Sequence, residues 1–562
     1  MNSSKVYSAL VVLIWGILIV LVDPRGAFMV NDDWSFVRSL EALRQGRLIA
    51  TGWGPEGAPG GPSLIVHLLW GWLFSFLFGS SMTSLRASVL TMGALASMSL
   101  FVLLRSLKTP VWLALLSTLT LILNPLFLSQ SFSFMTDVTF TGLAASALLA
   151  LHLGMEKGRL SWLCGGLLLI AASILTRQIG IVLGIAFVAV SWLTPRGRRL
   201  GPWRMTILAV LLTVIPWLGW ELALSLTGST PITEHQVLAG IFGRAEQKGL
   251  PDYLVFLAFQ LFPVALGYVA FLLAPLLMLQ LAAHWQNPSV RRVVVGYGVL
   301  AALFEWAVLA GVVHPPVALY GNVIVNLGIG PLLFKDSYLL GQPRLAALPG
   351  AAYYAIVLVT LPLVVVLVHG ILASVRRLLW EDRSPPIASV ALLAALMYLG
   401  IVVLAGARDR YLIPLCMLLT VWIVLDWSPA QWDALKPRKS LAAAVAVLAL
   451  TGAFSIAGTH DFMATRRAAQ KAHDHLLDDL KVDPCQVDGG FELNGYYCYD
   501  PHFRPEPGLS WWWVHREDYL VALGALPGYE VAATFPFNRW LGPDGAVTLL
   551  RPAPQSPQSG PQ

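Results

Sequence analysis

The chain has 562 residues, 57% hydrophobic and only 12% charged, with a formal net charge of +6 and a mean hydropathy of +0.69. Soluble globular domains carry about 25% charged residues, so an ordinary soluble enzyme and a disordered chain are both excluded. The apolar residues fall in blocks of about 20 between short charged connectors, the length that crosses a bilayer. A β-barrel would instead show strands of about ten residues with alternating polarity.

Taken in chain order, the blocks predict thirteen membrane spans, near 6–23, 84–104, 111–129, 138–154, 160–175, 178–193, 205–225, 253–281, 293–313, 351–373, 387–405, 412–426 and 440–457. The first has no convincing small-residue cleavage site and reads as a retained anchor. Of the 37 Lys and Arg residues, 17 fall in alternate connectors, from Lys5 through Arg196, Arg198, Arg199 and Arg204 to Lys436, Arg438 and Lys439. The positive-inside rule places those connectors and the N-terminus in the cytoplasm, and an odd number of spans then sends the last hundred residues outside. The positive charge reports topology, not nucleic-acid binding.

The segment 24–83 follows the first span as a long outer loop. It opens on Val30–Asn31–Asp32–Asp33–Trp34, crosses a Gly/Pro-rich stretch from Gly52 to Pro62, and ends in the apolar run Leu64 to Phe78. Counting that run as a span would break the alternation of basic connectors, so it is read as a helix on or partly in the membrane surface. A second outer loop, 314–350, is apolar for an exposed connector and is expected to lie at the lipid interface or over a cavity. The tail, 458–562, is polar and Trp-rich. It reads as a small extracytoplasmic α+β domain with a disordered end, and Trp511, Trp512 and Trp513 could stack on carbohydrate or anchor the tail on the membrane. Cys485 and Cys498 lie in this tail and are paired as a disulfide if it is extracytoplasmic. Cys164 and Cys416 sit in spans as small buried hydrophobes.

Several charged residues gather at the outer ends of the predicted spans. Asp32 and Asp33 follow the first, and Asp137 lies at the end of the third within an aromatic run. An unpaired carboxylate at that depth costs several kcal/mol. Arg177 is confined to a short turn between two apolar spans and needs an anion, either a protein carboxylate or a phosphate held bidentately. Arg408, Arg410 and Tyr411 open the twelfth span on the same face. Carboxylates and arginines at one depth suit the transfer of a group from a lipid phosphate to a hydroxyl. A carboxylate takes the acceptor's proton and cations stabilise the departing phosphate.

An anchor span, a long outer loop opening on Asn31–Asp32–Asp33–Trp34, Thr136–Asp137 after the third span and Thr176–Arg177 between the fifth and sixth resemble the GT-C glycosyltransferases. The similarity is to bacterial family-39-like members, related to protein O-mannosyltransferases and the lipid A aminoarabinose transferase. It covers about residues 1–200. Beyond that it rests on the span count and on Arg410–Tyr411–Leu412–Ile413–Pro414. It implies a thirteen-span enzyme that takes sugar from a polyprenyl-phosphate donor on the outer face, with inversion by single displacement. Asp32 or Asp33 is then the catalytic base, with a slight preference for Asp33. Asp137 orients the acceptor or supports a metal, and Arg177 faces the donor phosphate. Many relatives carry a Pro-Pro pair in the first loop, where this chain has Gly61–Pro62. Glu234, His235 and His314 are weak candidates to join Asp137 around a divalent metal, although no spacing demands one.

The expected protein is thus an α-helical polytopic membrane protein with residues 1–457 as a GT-C-like transmembrane catalytic domain and 458–562 as the tail domain. It is expected in a bacterial inner membrane, acting on a glycan, lipid or protein acceptor and not on nucleic acid. The alternative is a transporter or flippase of a lipid-linked saccharide. Glu221 and Glu305 could serve proton coupling there, or hydrogen-bond within the bundle. Paired repeats typical of transporters are not evident.

Overall fold

The computed structural model describes residues 3–47, 64–228, 243, 245–285, 322–325, 328–342, 350–380, 385–406, 408–427, 432, 438–500 and 502–553, with scattered residues between 288 and 306. It is a helical membrane protein carrying a small sheet near its C-terminus. Among the described residues seven helices are long and apolar enough to span a bilayer: Met82–Ser106, Thr136–Lys157, Pro202–Leu226, Leu250–Leu272, Leu358–Arg377, Pro386–Leu404 and Lys439–Asp479. Shorter apolar helices cover Val6–Val22, Ile65–Phe78, Leu160–Ile174 and Gln178–Leu193. Helices occupy twelve of the thirteen predicted stretches. The remaining one, near 293–313, lies mostly outside the described residues.

The elements that build the site are α1 (Ser3–Val22), α2 (Asp33–Arg44), α3 (Ile65–Phe78), α4 (Met82–Ser106), α5 (Val111–Ile122), α6 (Pro125–Ser131), α7 (Thr136–Lys157) and α8 (Leu160–Ile174). Local chemistry sets their ends. The Ser81 hydroxyl accepts the Ser84 N–H at 3.1 Å and starts α4. Gly158, in the left-handed conformation, ends α7. Between α5 and α6 the chain bends by 61°. Pro125 cannot continue the hydrogen-bond ladder of α5, and Asn124 Oδ1 instead caps a new helix by accepting from Leu126 N at 2.9 Å. α4 and α7 approach closely because position 142 is glycine. A Cβ there would stand 2.7 Å from the Met92 carbonyl oxygen. α3 buries His67, Leu68, Gly71 and Ser75 against its neighbours and exposes the apolar side chains Trp72, Phe76 and Phe78.

Beyond these lie α9 (Leu412–Leu425), α10 (Arg438–Asp474) and α11 (Phe491–Cys498). In the second loop, β1 (Ile324–Val325) and β2 (Gly328–Ile329) form an antiparallel hairpin. In the tail, β3 (Val487–Asp488), β4 (Tyr519–Ala522), β5 (Tyr529–Phe537) and β6 (Gly545–Pro552) form one sheet of order β3-β4-β6-β5. β3 runs parallel to β4 and the other pairs are antiparallel. α10 is a single helix of 37 residues that runs straight through the expected 457/458 boundary. Its last turns pack Ala468, Ala469 and Ala472 against Val521, Val547 and Leu549 of the sheet. Small side chains let the helix lie close on the sheet.

The described part of the second loop is pinned to the tail. Lys335 Nζ lies 2.6 Å from Glu517 Oε2, and Asp336 Oδ2 accepts the Leu523 N–H at 2.8 Å. The tail in turn rests on the first loop. Trp34 sits with ring centroids 5.9 Å from Phe491, 5.6 Å from Tyr499 and 5.3 Å from Trp513. Trp512 and Trp513 are therefore core residues of the tail, and Trp511 alone of the three is exposed, at 39%. Cys485 and Cys498 are joined by a disulfide with a Cα separation of 5.5 Å. The expected disordered end, beyond 553, lies outside the described residues.

Candidate functional site

Four helix ends meet at the end of the bundle that carries the tail. Asp32 precedes α2, Asp137 lies in the first turn of α7, Arg177 follows α8, and Arg410 precedes α9. They form a continuous chain of contacts. Arg410 Nη2 donates to Asp32 Oδ2 at 2.8 Å. The Arg410 guanidinium stands 5.3 Å from the centroid of the Tyr411 ring, and the Arg177 guanidinium stands 4.7 Å from the same ring. Arg177 Nη1 is paired with Asp137 Oδ1. Two carboxylates and two guanidiniums are thus organised about one tyrosine. The side chains of Asp32, Arg410 and Arg177 are 12%, 10% and 15% exposed, and that of Asp137 is 1% exposed.

The network does not consume all of its own polar atoms. Arg410 Nε and Nη1 and Asp137 Oδ2 are buried without a hydrogen-bond partner among the described residues. Leaving such a group unsatisfied costs about 1–3 kcal/mol. The two donor atoms belong to the guanidinium that pairs with Asp32, and the acceptor belongs to the carboxylate that pairs with Arg177.

The adjacent acids of the first loop differ sharply. Asp33 is fully buried. Its Oδ1 accepts the Val30 N–H at 2.7 Å and its Oδ2 accepts the Phe134 N–H at 3.4 Å. Burial pushes its carboxyl up to about 7, with the nearby Arg86 charge opposing the rise. Arg86 itself donates to the carbonyls of Pro24, Gly26 and Phe28 and fixes the start of the loop. Asp32, in contrast, stands at the N-cap of α2 and makes no side-chain cap bond to that helix. Its carboxylate instead reaches Arg410. One residue of helical rotation separates the two fates, about 100°.

Asp409 explains why Arg410 is fixed. Its carboxylate accepts backbone N–H groups from Asn322 at 2.8 Å, Val323 at 2.9 Å, Ile324 at 2.9 Å and Arg410 at 2.7 Å. It therefore ties the β1–β2 hairpin to the turn that presents Arg410. Burial raises its pKa above the usual carboxylate value, against the pull of those four N–H groups. For Arg410, burial works against the charge, and Asp32, Tyr411 and Asp137 together outweigh it, so the pKa lies above the ordinary arginine value.

Asp32, Asp137, Arg177, Arg410 and Tyr411 are brought together. Asp33 lies just behind them as part of the loop's internal bonding. Arg408 is exposed. Glu234, His235, His314 and Glu305, as well as Gly61 and Pro62, lie outside the described residues. Among the described residues no group of three or more His, Cys, Asp or Glu side chains is arranged to hold a metal ion. Glu221 accepts the Trp217 indole N–H at 2.9 Å, one turn away on its own helix. Sequence reasoning missed Asp409, although it stands between the two arginines that were singled out. It also missed Glu492 and Arg466, which reach the first loop from the tail. Glu492 Oε1 accepts the Asn31 N–H at 3.1 Å, and Arg466 donates to the Met29 carbonyl at 3.0 Å. Nothing in the local sequence marks these partners, which lie more than 400 positions from the loop.

Residues 62–220 match the family model described as dolichyl-phosphate-mannose-protein mannosyltransferase. This stretch holds Asp137 and Arg177 and begins after Asp32. No curated protein matches the chain. Two solved structures are similar to it. One is ArnT from Cupriavidus metallidurans in the apo state, with 15% identity, 88% of this chain and 84% of that chain covered, and a TM-score of 0.35. The other is ArnT from the same organism bound to undecaprenyl phosphate, with 14% identity, 97% of each chain covered and a TM-score of 0.37. The chain is similar to membrane glycosyltransferases of the GT-C type, as the motifs from Asn31 to Arg177 imply.

Proposed function

We propose that this protein is a membrane glycosyltransferase that moves a sugar from a polyprenyl-phosphate donor to a hydroxyl acceptor, with Asp32 as the base. The reading rests on the Asp32–Arg410–Tyr411–Arg177–Asp137 chain, supported by the family match over 62–220. The sequence preference for Asp33 gives way to Asp32 in this proposal, because both Asp33 oxygens are engaged by backbone N–H groups within the protein.

In this mechanism Asp32 takes the proton of the acceptor hydroxyl as its oxygen attacks the anomeric carbon. The new C–O bond forms on one face while the bond to the phosphate oxygen breaks on the other. The electron pair leaves with the polyprenyl phosphate and the configuration inverts. Arg410 and Arg177 stabilise the charge growing on the leaving phosphate, and Tyr411 holds the two guanidiniums at a fixed spacing through its ring. Asp137 orients Arg177 and turns its second oxygen to the acceptor. The distribution of basic residues in the connectors supports an orientation with the tail on the extracytoplasmic side, and a bundle of apolar helices suits a bacterial inner membrane.

The test is mass spectrometry of lipids extracted from the gently purified protein, wild type beside Asp32→Asn. A polyprenyl-phosphate sugar enriched in the variant supports the proposal and gives the sugar's mass. Transfer that continues at the wild-type rate in both Asp32→Asn and Asp137→Asn overturns it. Transport of a lipid-linked saccharide indifferent to Asp32 would favour the flippase reading.

A further inference from the structure

The first loop approaches the site through three consecutive residues whose backbone groups are each held by a different side chain. The Met29 carbonyl accepts from Arg466, the Val30 N–H donates to Asp33, and the Asn31 N–H donates to Glu492. The next residue is Asp32. Asn31 itself has a φ of 55°, the left-handed conformation, which asparagine adopts more readily than other non-glycine residues. Of the three clamps, one is internal to the loop. The other two come from the far end of the chain, Arg466 on α10 beyond its membrane span and Glu492 in the first turn of α11.

These two residues also face one another. Arg466 Nη2 lies 3.2 Å from Glu492 Oε2, and both side chains are 2% exposed. A buried pair of this kind is weak as a source of stability, because desolvation offsets most of the attraction. It is strong as a geometric constraint, since each charge has few other places to go. α11 is itself seated on α2. A Cβ at Gly495 would stand 2.5 Å from the Trp34 ring, and Arg38 of α2 donates to the carbonyls of Gly495 and Tyr496 at 3.3 Å. The tail helix therefore rests on the first turns of the helix that begins just after Asp32, while its Glu492 holds the residue just before Asp32.

We propose that Glu492, paired with Arg466, is a positioning residue for Asp32: the tail holds the Met29–Asn31 backbone in the conformation that delivers the Asp32 carboxylate to Arg410. The role assigned to Asp32 rests on the function proposed above; the clamp itself is a separate claim with its own readout. The tail is then a structural part of the reaction centre. Its loss lowers turnover of donor already bound, while Arg177 and Tyr411, presented by the ends of α8 and α9, keep holding the donor phosphate.

The experiment compares full-length wild type, Glu492→Ala, Glu492→Gln and Asp32→Asn in nanodiscs. Hydrogen exchange is read at the Asn31 amide. Turnover is read as polyprenyl phosphate released from the total polyprenyl-phosphate sugar fraction of the expressing cells, with an envelope extract of the same cells supplying the acceptor hydroxyl. Glu492→Ala is expected to speed Asn31 exchange at least tenfold and to lower kcat at least tenfold, with the donor KM within threefold of wild type. Glu492→Gln keeps an acceptor for the Asn31 N–H and is expected to restore both readouts to within threefold. Exchange in Glu492→Ala at the wild-type rate, or faster exchange with unchanged kcat, overturns the proposal. If Glu492→Ala is not recovered as a monodisperse protein, the double variant Cys485→Ser/Cys498→Ser replaces it. That variant loosens the end of α11 without touching Glu492, and the same outcomes decide. Full turnover in Asp32→Asn removes the base assignment, while the exchange readout still decides whether the clamp exists.

Discussion

Replacing Asp409 by asparagine isolates the bond set that holds Arg410 in place. The wild-type carboxylate takes four backbone N–H groups on two oxygens. Oδ2 accepts from Val323 and Ile324, both at 2.9 Å, and Oδ1 from Asn322 and Arg410 at 2.8 and 2.7 Å. An amide of the same size keeps one oxygen and turns an NH2 group toward the other pair of donors. Two hydrogen bonds to a charged acceptor are lost, each worth about 1.5–3 kcal/mol. Asp409 is only 2% exposed, so solvent returns little of this. Taking the lower value once, to allow for local adjustment, leaves a local loss of about 1.5 kcal/mol, or roughly tenfold in the opening equilibrium. The expected result is exchange of the Val323 and Ile324 amides about tenfold faster in Asp409→Asn than in wild type, with tail amides such as Leu520 and Leu549 unchanged. Equal exchange at Val323 and Ile324 in the two proteins would refute the argument that this carboxylate clamps the hairpin.

Tyr411→Leu removes the ring between Arg177 and Arg410 and is expected to raise the donor KM about tenfold, from a loss of roughly 1–2 kcal/mol of cation–π attraction; Tyr411→Phe keeps the ring and stays near wild type in the same steady-state assay. Burial raises Asp488 from 3.8 to about 6, although Ser510 and Trp512 donate to it. The folded state therefore holds a proton that the unfolded chain releases near pH 4. The stabilisation from this group is complete below that pH and fades as the pH rises through about 6, by up to ~3 kcal/mol. Asp488→Asn is expected to flatten the fall in tail stability between pH 4 and 6, measured by limited proteolysis of the full chain; an unchanged slope would count against it. Cleaving the Cys485–Cys498 disulfide, which closes a loop with a sequence separation of 13, is expected to destabilise the tail by about 2–3 kcal/mol. Proteolysis near Cys498 under reducing conditions would then accelerate, and an unaltered cleavage rate would show that the bond contributes nothing there.

The membrane part was readable because a span must be apolar all round over its whole length, and few other structures place that demand on a sequence. The 61° bend between α5 and α6 was not read from the block 111–129, although Asn124–Pro125 carries its chemistry. Acids and arginines at span ends marked Asp137, Arg177 and Arg410 because a charge at that depth requires a partner. The same rule could not rank Asp32 against Asp33. The two share composition and neighbours, and only the start of α2 turns one toward Arg410 and the other into the loop. The tail's role was hidden for a different reason. Its triple tryptophan suggested sugar stacking or membrane anchoring, whereas Trp512 donates to Asp488 and Trp513 packs on Trp34. Contacts that join residues near 30 to residues near 490 leave no periodicity to read.

The unbroken course of α10 makes the tail a matter of phase. At 1.5 Å per residue its 37 residues measure about 56 Å, well beyond a hydrocarbon core of about 30 Å. The sheet is mounted on a rod whose compass bearing is set by residue count. Inserting one residue into the stretch 458–464 would swing the sheet by about 100° around the rod and lift it by 1.5 Å. Four residues would bring it back to within about 40°, and seven to within about 20° on the other side. Over evolutionary time, length changes in that stretch are then tolerated only in steps near whole turns, and a flexible linker grafted there would leave the tail's bearing to its contacts with the first and second loops alone.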